Sequence, residues 1–175
     1  MKSLKKSISL NDNALITKKQ IVIMASILFI FICCISAEKE QNYLNAINKI
    51  KQISATLQNN LKNLSDLNQQ TGLLQKKVTD SKTESSQAKA YFSQIQSAII
   101  SETKNLENYQ KQIQIKLDEY NNKIPSSLYE QKTNEINFLI IQTNKQQVDY
   151  QKTTEAITAT ISEIEVIINQ KLKIN

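Results

Sequence analysis

The sequence predicts an all-α protein, and three observations support this prediction. The 175 residues include only one glycine and one proline, whereas sheet-rich folds need many turns, and turns use those two residues. Apolar residues recur every seven positions over most of the chain, which is the period of a coiled-coil seam. A separate uncharged run near the N-terminus has the length and composition of an export signal or a membrane anchor.

The N-terminal part consists of a basic region, residues 1–20, and an uncharged apolar segment, residues 21–37. Five lysines precede the apolar segment, and charged residues follow it from Glu38 onward. The positive-inside rule therefore keeps the N-terminus in the cytosol and places residues 38–175 on the other side of the membrane. A buried soluble helix is not expected, because the segment is apolar on every face and we expect no other part of the chain to cover it. The five lysines are Lys2, Lys5, Lys6, Lys18 and Lys19.

Three interpretations of the apolar segment stay open. It is an uncleaved transmembrane anchor, which fits the long region before it, although the segment is at the short end of the spanning range. Alternatively, it is a signal peptide that is cleaved after Ala37, where the sequence ISA forms an acceptable site. In the third interpretation Cys34, which follows the sequence FIC, carries a lipid. All three place residues 38–175 outside the cytoplasmic membrane, and no disulfide holds that part because it contains no cysteine.

A heptad register runs through residues 38–124, which we predict to be a long heptad-patterned helix. Ten of the twelve residues in its first row are apolar, about twice the number expected by chance in a chain that is 40% apolar. Seven of twelve are apolar in the second row, so the seam is expected to pack tightly only in places. The first row is Tyr43, Ile50, Leu57, Leu64, Thr71, Val78, Ser85, Phe92, Ile99, Leu106, Ile113 and Tyr120. The second row is Ala46, Ile53, Asn60, Leu67, Leu74, Ser81, Ala88, Ile95, Glu102, Tyr109, Lys116 and Lys123.

Residues 79–87 are the first candidate break in this helix. The stretch is polar, and Ser81 followed by Glu84 has the spacing of a capping box at the start of a new helix. The heptad register resumes in phase beyond it, however, and this favours one continuous helix. A continuous helix predicts a stalk that forms a homodimer through its seam, whereas a turn predicts a bundle within one chain.

A firmer break is predicted at residues 125–127. Pro125 interrupts helical hydrogen bonding, and Ser127 followed by Glu130 has capping-box spacing ahead of a new apolar pattern. Residues 128–175 then form a C-terminal amphipathic helix that packs back on the preceding one, because short loops join antiparallel neighbours. The predicted architecture is an antiparallel helical hairpin, or a three-helix bundle if the first break also turns.

The six tyrosines suggest a binding surface, but most of them fit the core better. Tyr91 and Tyr129 are the two that we predict to be exposed aromatic residues. The other four fall on the predicted seam, at Tyr43, Tyr109, Tyr120 and Tyr150.

The residue types argue against catalysis. The chain has no histidine and no glycine-rich loop, and its two cysteines lie in the apolar segment, so the common catalytic bases, nucleophiles and phosphate cradles are missing. Acid pairs such as Glu102 with Glu107 fit a solvated helix surface. We therefore expect no enzyme activity, no catalytic residue, no cofactor and no metal site. Nucleic-acid binding is not expected either, because residues 38–175 carry 17 lysines against 15 acids and no arginine.

The layout of the whole chain resembles two groups of bacterial surface proteins. The sequence FICC at residues 31–34 is similar to the relaxed lipid-attachment motif of the helical surface lipoproteins of Borrelia-type spirochaetes. An N-terminal anchor followed by a helical domain rich in lysine, asparagine, glutamine and isoleucine also resembles the immunodominant membrane proteins of phytoplasmas. Both resemblances imply a protein that acts at the cell surface by contact with host molecules.

These observations predict an exported, membrane-anchored helical surface protein that mediates protein–protein interaction. Its predicted partners are the membrane, through residues 21–37, and a protein of the host or the cell envelope that the sequence does not identify. One alternative is a structural coiled-coil spacer of the envelope, which the continuous first row favours. The other alternative is a secreted helical effector that is released by cleavage after Ala37.

Overall fold

The computed structural model describes residues 18–80 and 86–172, and nearly all of these lie in three α-helices. Helix α1 spans Lys18–Asp80 with 63 residues, α2 spans Ser86–Asn121 with 36 residues, and α3 spans Tyr129–Leu172 with 44 residues. The described residues contain no strand. The predicted all-α fold is therefore confirmed.

The three helices pack against one another as an antiparallel bundle. Gln96 Nε2 of α2 lies 3.4 Å from Gln75 Oε1 of α1, and Gln110 Nε2 lies 2.8 Å from Ser54 Oγ. Because α2 residues of higher number meet α1 residues of lower number, the two helices run in opposite directions. Helix α3 contacts both of the others and reverses direction once more. Of the predicted architectures, the structure is the three-helix bundle.

The continuous helix that the register favours over residues 38–124 does not form, since α1 and α2 are separate and antiparallel. Val78 and Phe92 are two heptads apart along the chain, and both are buried in the same core. When the residues that separate two helices add up to whole heptads, the register stays in phase across the reversal. An unbroken register is therefore compatible with both a continuous helix and a bundle. The candidate capping box at Ser81 and Glu84 lies outside the described residues.

The predicted heptad rows form the core of the bundle. Leu57 of α1 and both Leu106 and Ile113 of α2 have no exposed surface, and each such aliphatic side chain stabilises the fold by about 1.5–3 kcal/mol. The seam that could have joined two chains is thus buried within one chain. The buried first-row residues are Tyr43, Ile50, Leu57, Leu64, Thr71 and Val78 of α1 with Phe92, Ile99, Leu106 and Ile113 of α2. Helix α3 adds Ile136, Leu139, Thr143, Tyr150, Ile157, Ile161, Ile164 and Ile168.

Polar side chains between α1 and α3 fix the alignment of these two helices. Asn60 Nδ2 donates a hydrogen bond to Gln147 Oε1 at 2.7 Å, and Asn60 is only 9% exposed. Asn63 Nδ2 donates to Tyr150 Oη, also at 2.7 Å. Both bonds join residues 87 positions apart, so α3 runs parallel to α1. A shift by one residue would break both bonds and leave the buried residues Asn60 and Tyr150 without these partners, which costs about 1–3 kcal/mol for each group that stays buried.

The connection between α2 and α3 contains Pro125, within the predicted break at residues 125–127. Lys123 adopts a left-handed backbone conformation, with φ of 50°, and its N–H donates to the Tyr120 carbonyl at 3.1 Å. A 3-10 helix, Ser126–Leu128, then leads into α3. Glu130 does not complete the expected capping box, because its carboxylate pairs with Lys39 of α1.

Candidate functional site

The apolar segment, residues 21–37, extends beyond the bundle as the first part of α1. Its large apolar side chains are all exposed, from 38% at Ile35 to 68% at Phe29, and the core begins only at Tyr43. Among the described residues it lies in the one helix that is long and apolar enough to cross a membrane. An apolar surface of this size is normally covered by lipid or by protein.

Two predicted modification positions lie near the end of this segment. Cys33 and Cys34 have free thiols, and both side chains are exposed. Ala37 is exposed as well, and α1 continues through it into the bundle. Lipid attachment to Cys34 and cleavage after Ala37 both stay predictions. Cleavage there would remove none of the described core residues, because the first of them is Tyr43.

An ion-pair network joins α2 to α3 at the proximal end of the bundle, which is the end that adjoins the apolar segment. Lys116 Nζ of α2 lies 2.7 Å from Glu135 Oε2 of α3, and Lys132 Nζ lies 3.0 Å from the same oxygen. The two lysines also approach the Glu119 carboxylate, at 3.5 Å and 3.0 Å respectively. The four side chains are between 18% and 32% exposed, so water only partly screens their charges.

The network shifts the pKa values of Glu135 and Lys132 in opposite directions. Hydrogen bonds from Lys116 and Lys132 lower the pKa of Glu135 to about 2. Hydrogen bonds to Glu119 and Glu135 raise the pKa of Lys132 above its usual value. Both shifts favour the charged forms, so the network stabilises the folded chain while its groups are ionised. Sequence reasoning missed this network, although Lys116 occupies the second heptad row, where a lysine needs an acidic partner.

Three tyrosines meet at the same end of the bundle. Tyr43 of α1 stacks on Tyr129 with ring centroids 5.2 Å apart, and its ring lies 5.9 Å from that of Tyr120. Lys51 Nζ lies 5.3 Å from the centroid of the Tyr120 ring. The expected exposure of Tyr129 is wrong, because its stack on Tyr43 leaves it half-buried. Tyr91, the other residue expected to be exposed, is half-buried against the core.

Glu102 departs from the expected solvated acid surface. The residue is only 5% exposed, and its Oε1 accepts a hydrogen bond from Gln146 Nε2 at 2.7 Å. Glu107 of the same predicted acid pair is exposed, so the two do not form a shared carboxylate site. The second-row position of Glu102 was the sequence signal for its burial. Within residues 18–80 and 86–172, no group of three histidine, cysteine or acidic side chains is arranged to hold a metal ion.

The outer face of α3 keeps several large apolar side chains in solvent. Phe138 and Ile141 are 63% and 67% exposed, whereas Leu139 between them is 4% exposed and faces the core. Val148, two helical turns further along the same face, is 49% exposed. Exposed apolar side chains that lie close together are typical of surfaces that bind other proteins.

Comparison of the chain with models of known protein families, with curated proteins and with solved structures gave no significant match. The exposed apolar segment is the feature with the clearest physical consequence, because neither the bundle nor the loops of the described residues cover it.

Proposed function

We propose that the protein is a membrane-anchored, non-enzymatic helical surface protein whose bundle contacts a partner protein outside the cytoplasmic membrane. The observation that supports this most directly is the exposed apolar segment, residues 21–37, which continues without a break into the bundle. A helix that is apolar on every face suits the hydrocarbon core of a bilayer, which takes about 20 residues, with a range of roughly 17–25. The lysines before the segment favour a cytosolic N-terminus.

Contact with a partner protein is the role that the bundle itself supports best. The bundle carries interspersed charges of both signs, and Phe138 and Ile141 add exposed apolar surface. The resemblance to spirochaete surface lipoproteins and phytoplasma membrane proteins supports a host molecule as this partner. A binding scan of residues 38–175 against host surface and matrix proteins is expected to detect a partner at micromolar concentration. A scan that detects none at that concentration contradicts the host-contact proposal.

The first experiment is the intact mass of the chain, recovered separately from the membrane and the soluble fraction of a bacterial host. The proposal expects the full chain in the membrane fraction, with residues 21–37 as the anchor. A chain that begins at Cys34 with added acyl mass would instead identify a surface lipoprotein. A chain that begins at Glu38 and lies in the soluble fraction contradicts the anchor and supports the secreted effector.

The topology is tested by labelling with a maleimide that cannot cross the membrane. In a background with Cys33→Ala and Cys34→Ala, a single cysteine is placed either at Ser101, which is exposed on α2, or at Ser3. The proposal expects Ser101→Cys to react on intact cells and Ser3→Cys to react only after lysis. The opposite pattern would place the bundle in the cytosol.

Membrane insertion is tested by a charge in the middle of the apolar segment. Phe29→Lys is expected to lower the membrane-bound fraction, because a lysine at the centre of a spanning helix costs about 2.5–3.5 kcal/mol. Leu73→Lys is the matched control, since Leu73 is 58% exposed on the bundle. Equal membrane fractions for both variants would contradict a spanning role for the segment.

The structural spacer is the second candidate, and the length of α1 favours it. Beyond the apolar segment, the 43 residues of α1 from Glu38 to Asp80 extend about 65 Å at 1.5 Å per residue. The spacer predicts an elongated dimer in solution, which small-angle scattering of the full chain in detergent distinguishes from a monomer. A compact monomeric bundle on the end of one anchor would contradict the spacer, and an elongated dimer would favour it.

A further inference from the structure

A polar cleft opens between α1 and α3 where the apolar segment meets the bundle. Its volume is about 270 Å³. Ile35 and Lys39 of α1 are four residues apart, as are Glu38 and Asn42, so these side chains lie on one side of the helix. The residues that matter below are Ile35, Glu38, Lys39 and Asn42 of α1 with Glu130 and Asn134 of α3.

The position of the cleft along α1 corresponds to the headgroup layer of a bilayer. This step rests on the proposed function, in which residues 21–37 span the membrane. Ile35 belongs to that segment, and Asn42 lies seven residues further along, which is about 10 Å in a helix. The polar layer on each side of a bilayer is about 5–8 Å thick. The cleft therefore begins at the edge of the hydrocarbon and extends through the depth of the headgroups.

The charges in the cleft favour a ligand that carries both signs. Glu38, Lys39 and Glu130 give the lining a formal net charge of −1. Lys39 Nζ donates to Glu130 Oε2 at 2.8 Å, and an ammonium group has two further protons to donate. A headgroup with only negative charge is disfavoured by the net charge of the lining, whereas a zwitterion supplies a cation of its own.

We propose that this cleft binds the phosphoethanolamine headgroup of a phospholipid. Lys39 and the side-chain amides of Asn42 and Asn134 supply donors for the phosphate oxygens. The Glu38 carboxylate accepts a charge-assisted hydrogen bond from the primary ammonium group of the lipid. A choline headgroup has no N–H and cannot make this bond. Ile35 lies at the level of the first acyl carbons, so the intact lipid is favoured over its soluble headgroup.

Native mass spectrometry of the full chain in detergent tests this proposal. The chain is mixed with equal amounts of phosphatidylethanolamine, phosphatidylcholine and phosphatidylglycerol that carry identical acyl chains. The expected result is about tenfold greater retention of phosphatidylethanolamine than of either other lipid. Glu38→Gln is expected to abolish this preference, and Glu163→Gln, which removes an exposed acid far along α3, is expected to keep it. Equal retention of the three lipids, or an unchanged preference in Glu38→Gln, would overturn the proposal.

Two further measurements test the lipid-binding proposal separately from the membrane-anchor proposal. Glycerophosphoethanolamine, the soluble headgroup, is added as a competitor, and displacement of the lipid at equal concentration would overturn the lipid as the ligand. The same spectra give the mass of the chain. An intact chain from the membrane fraction that shows no lipid preference overturns the lipid-binding proposal and leaves the membrane anchor in place. A chain that begins at Glu38 and is recovered only from the soluble fraction overturns both the membrane-anchor proposal and the lipid-binding proposal.

Discussion

Lys116 of α2 and Glu135 of α3 form an ion pair at 2.7 Å across the end of the bundle that adjoins the apolar segment. Lys132 binds the same Glu135 oxygen at 3.0 Å, so one carboxylate serves lysines from two helices. The loop between α2 and α3 leaves the bundle at this end, and the pair holds the two helices together just above it.

Glu135→Gln is expected to destabilise the fold by about 1–2 kcal/mol, because a neutral amide replaces the charged acceptor of two partly buried lysines. Chemical denaturation of the full chain in detergent, followed by circular dichroism, measures the change. Glu163→Gln is the matched control on the same helix, since Glu163 is exposed, and its midpoint is expected to stay unchanged. Equal losses in both variants would argue against a special role for Glu135.

Stability is expected to fall in acid through the protonation of Glu135. The pKa of this carboxyl is lowered from 4.5 to about 2 by its lysine donors. Its stabilising contribution is therefore complete above about pH 4.5 and is lost as the pH falls toward 2. Thermal unfolding of the wild type and of Glu135→Gln between pH 6 and pH 2 measures this contribution as the difference between the two curves. A stability difference between the two proteins that stays constant from pH 6 to pH 2 would show that the protonation of Glu135 does not cause the loss of stability.

Asn60 and Gln147 are expected to show strong coupling in a double-mutant cycle. Asn60→Leu removes the donor and leaves the half-buried Gln147 oxygen without its partner, at a cost of about 0.5–1.5 kcal/mol. Replacing both residues by leucine is expected to restore most of that stability, because two apolar groups need no hydrogen bond. Denaturant unfolding of the two single variants and the double variant gives the coupling energy. Simple additivity would show that the bond does not contribute to the alignment of α1 and α3.

Gly72→Ala is expected to stabilise the bundle by about 0.5–1 kcal/mol. Gly72 lies inside α1, where glycine is less favourable than alanine, and no atom lies within 4 Å of the position that an added Cβ would take. Ala90→Gly, at an exposed position of α2, is the reverse control and is expected to destabilise by a similar amount. Thermal unfolding of both variants measures the two effects, and destabilisation by Gly72→Ala would show that this position needs glycine for another reason.

A short bifunctional maleimide is expected to cross-link Ser54→Cys to Gln110→Cys within one chain, in a background without Cys33 and Cys34. The native side chains meet at 2.8 Å, and the reagent spans the gap that opens when the long glutamine side chain is replaced by cysteine. Mass spectrometry and gel mobility distinguish this product from a cross-link between chains. The pair Ser54→Cys with Ser101→Cys is the control, because Ser101 lies more than two helical turns away on α2 and is expected to react much less with Ser54→Cys. A cross-link found mainly between chains would favour the extended dimer.

The heptad pattern predicted the interior well because burial on a helix depends on periodic spacing. Leu57 and Leu106 lie on different helices, yet both follow from one register and both are fully buried. The same register could not reveal the reversal between Val78 and Phe92, because two whole heptads separate them. Which helices pair, and whether they belong to one chain, depends on contacts between residues that are distant in sequence.

The candidate site was less predictable for the same reason. The apolar segment is continuous in sequence, so its length and apolar character are read directly from residues 21–37. The bond between Lys116 and Glu135 joins two helices across a loop, and the stack of Tyr129 on Tyr43 joins residues 86 positions apart in the sequence. Neither contact has a local pattern. The heptad position of Lys116 indicates that it needs a partner, but only the tertiary structure identifies that partner.

Helix α1 has one further mechanical consequence. Because the apolar segment and the first helix of the bundle are a single helix, no loop or hinge lies between them. The 43 residues from Glu38 to Asp80 act as a lever arm of about 65 Å. A change of about 10° in the tilt of the segment would carry the far tip sideways by about 11 Å at that arm length. In the proposed membrane-spanning role, the orientation of the tip would therefore report any force or bilayer thickness that tilts the segment.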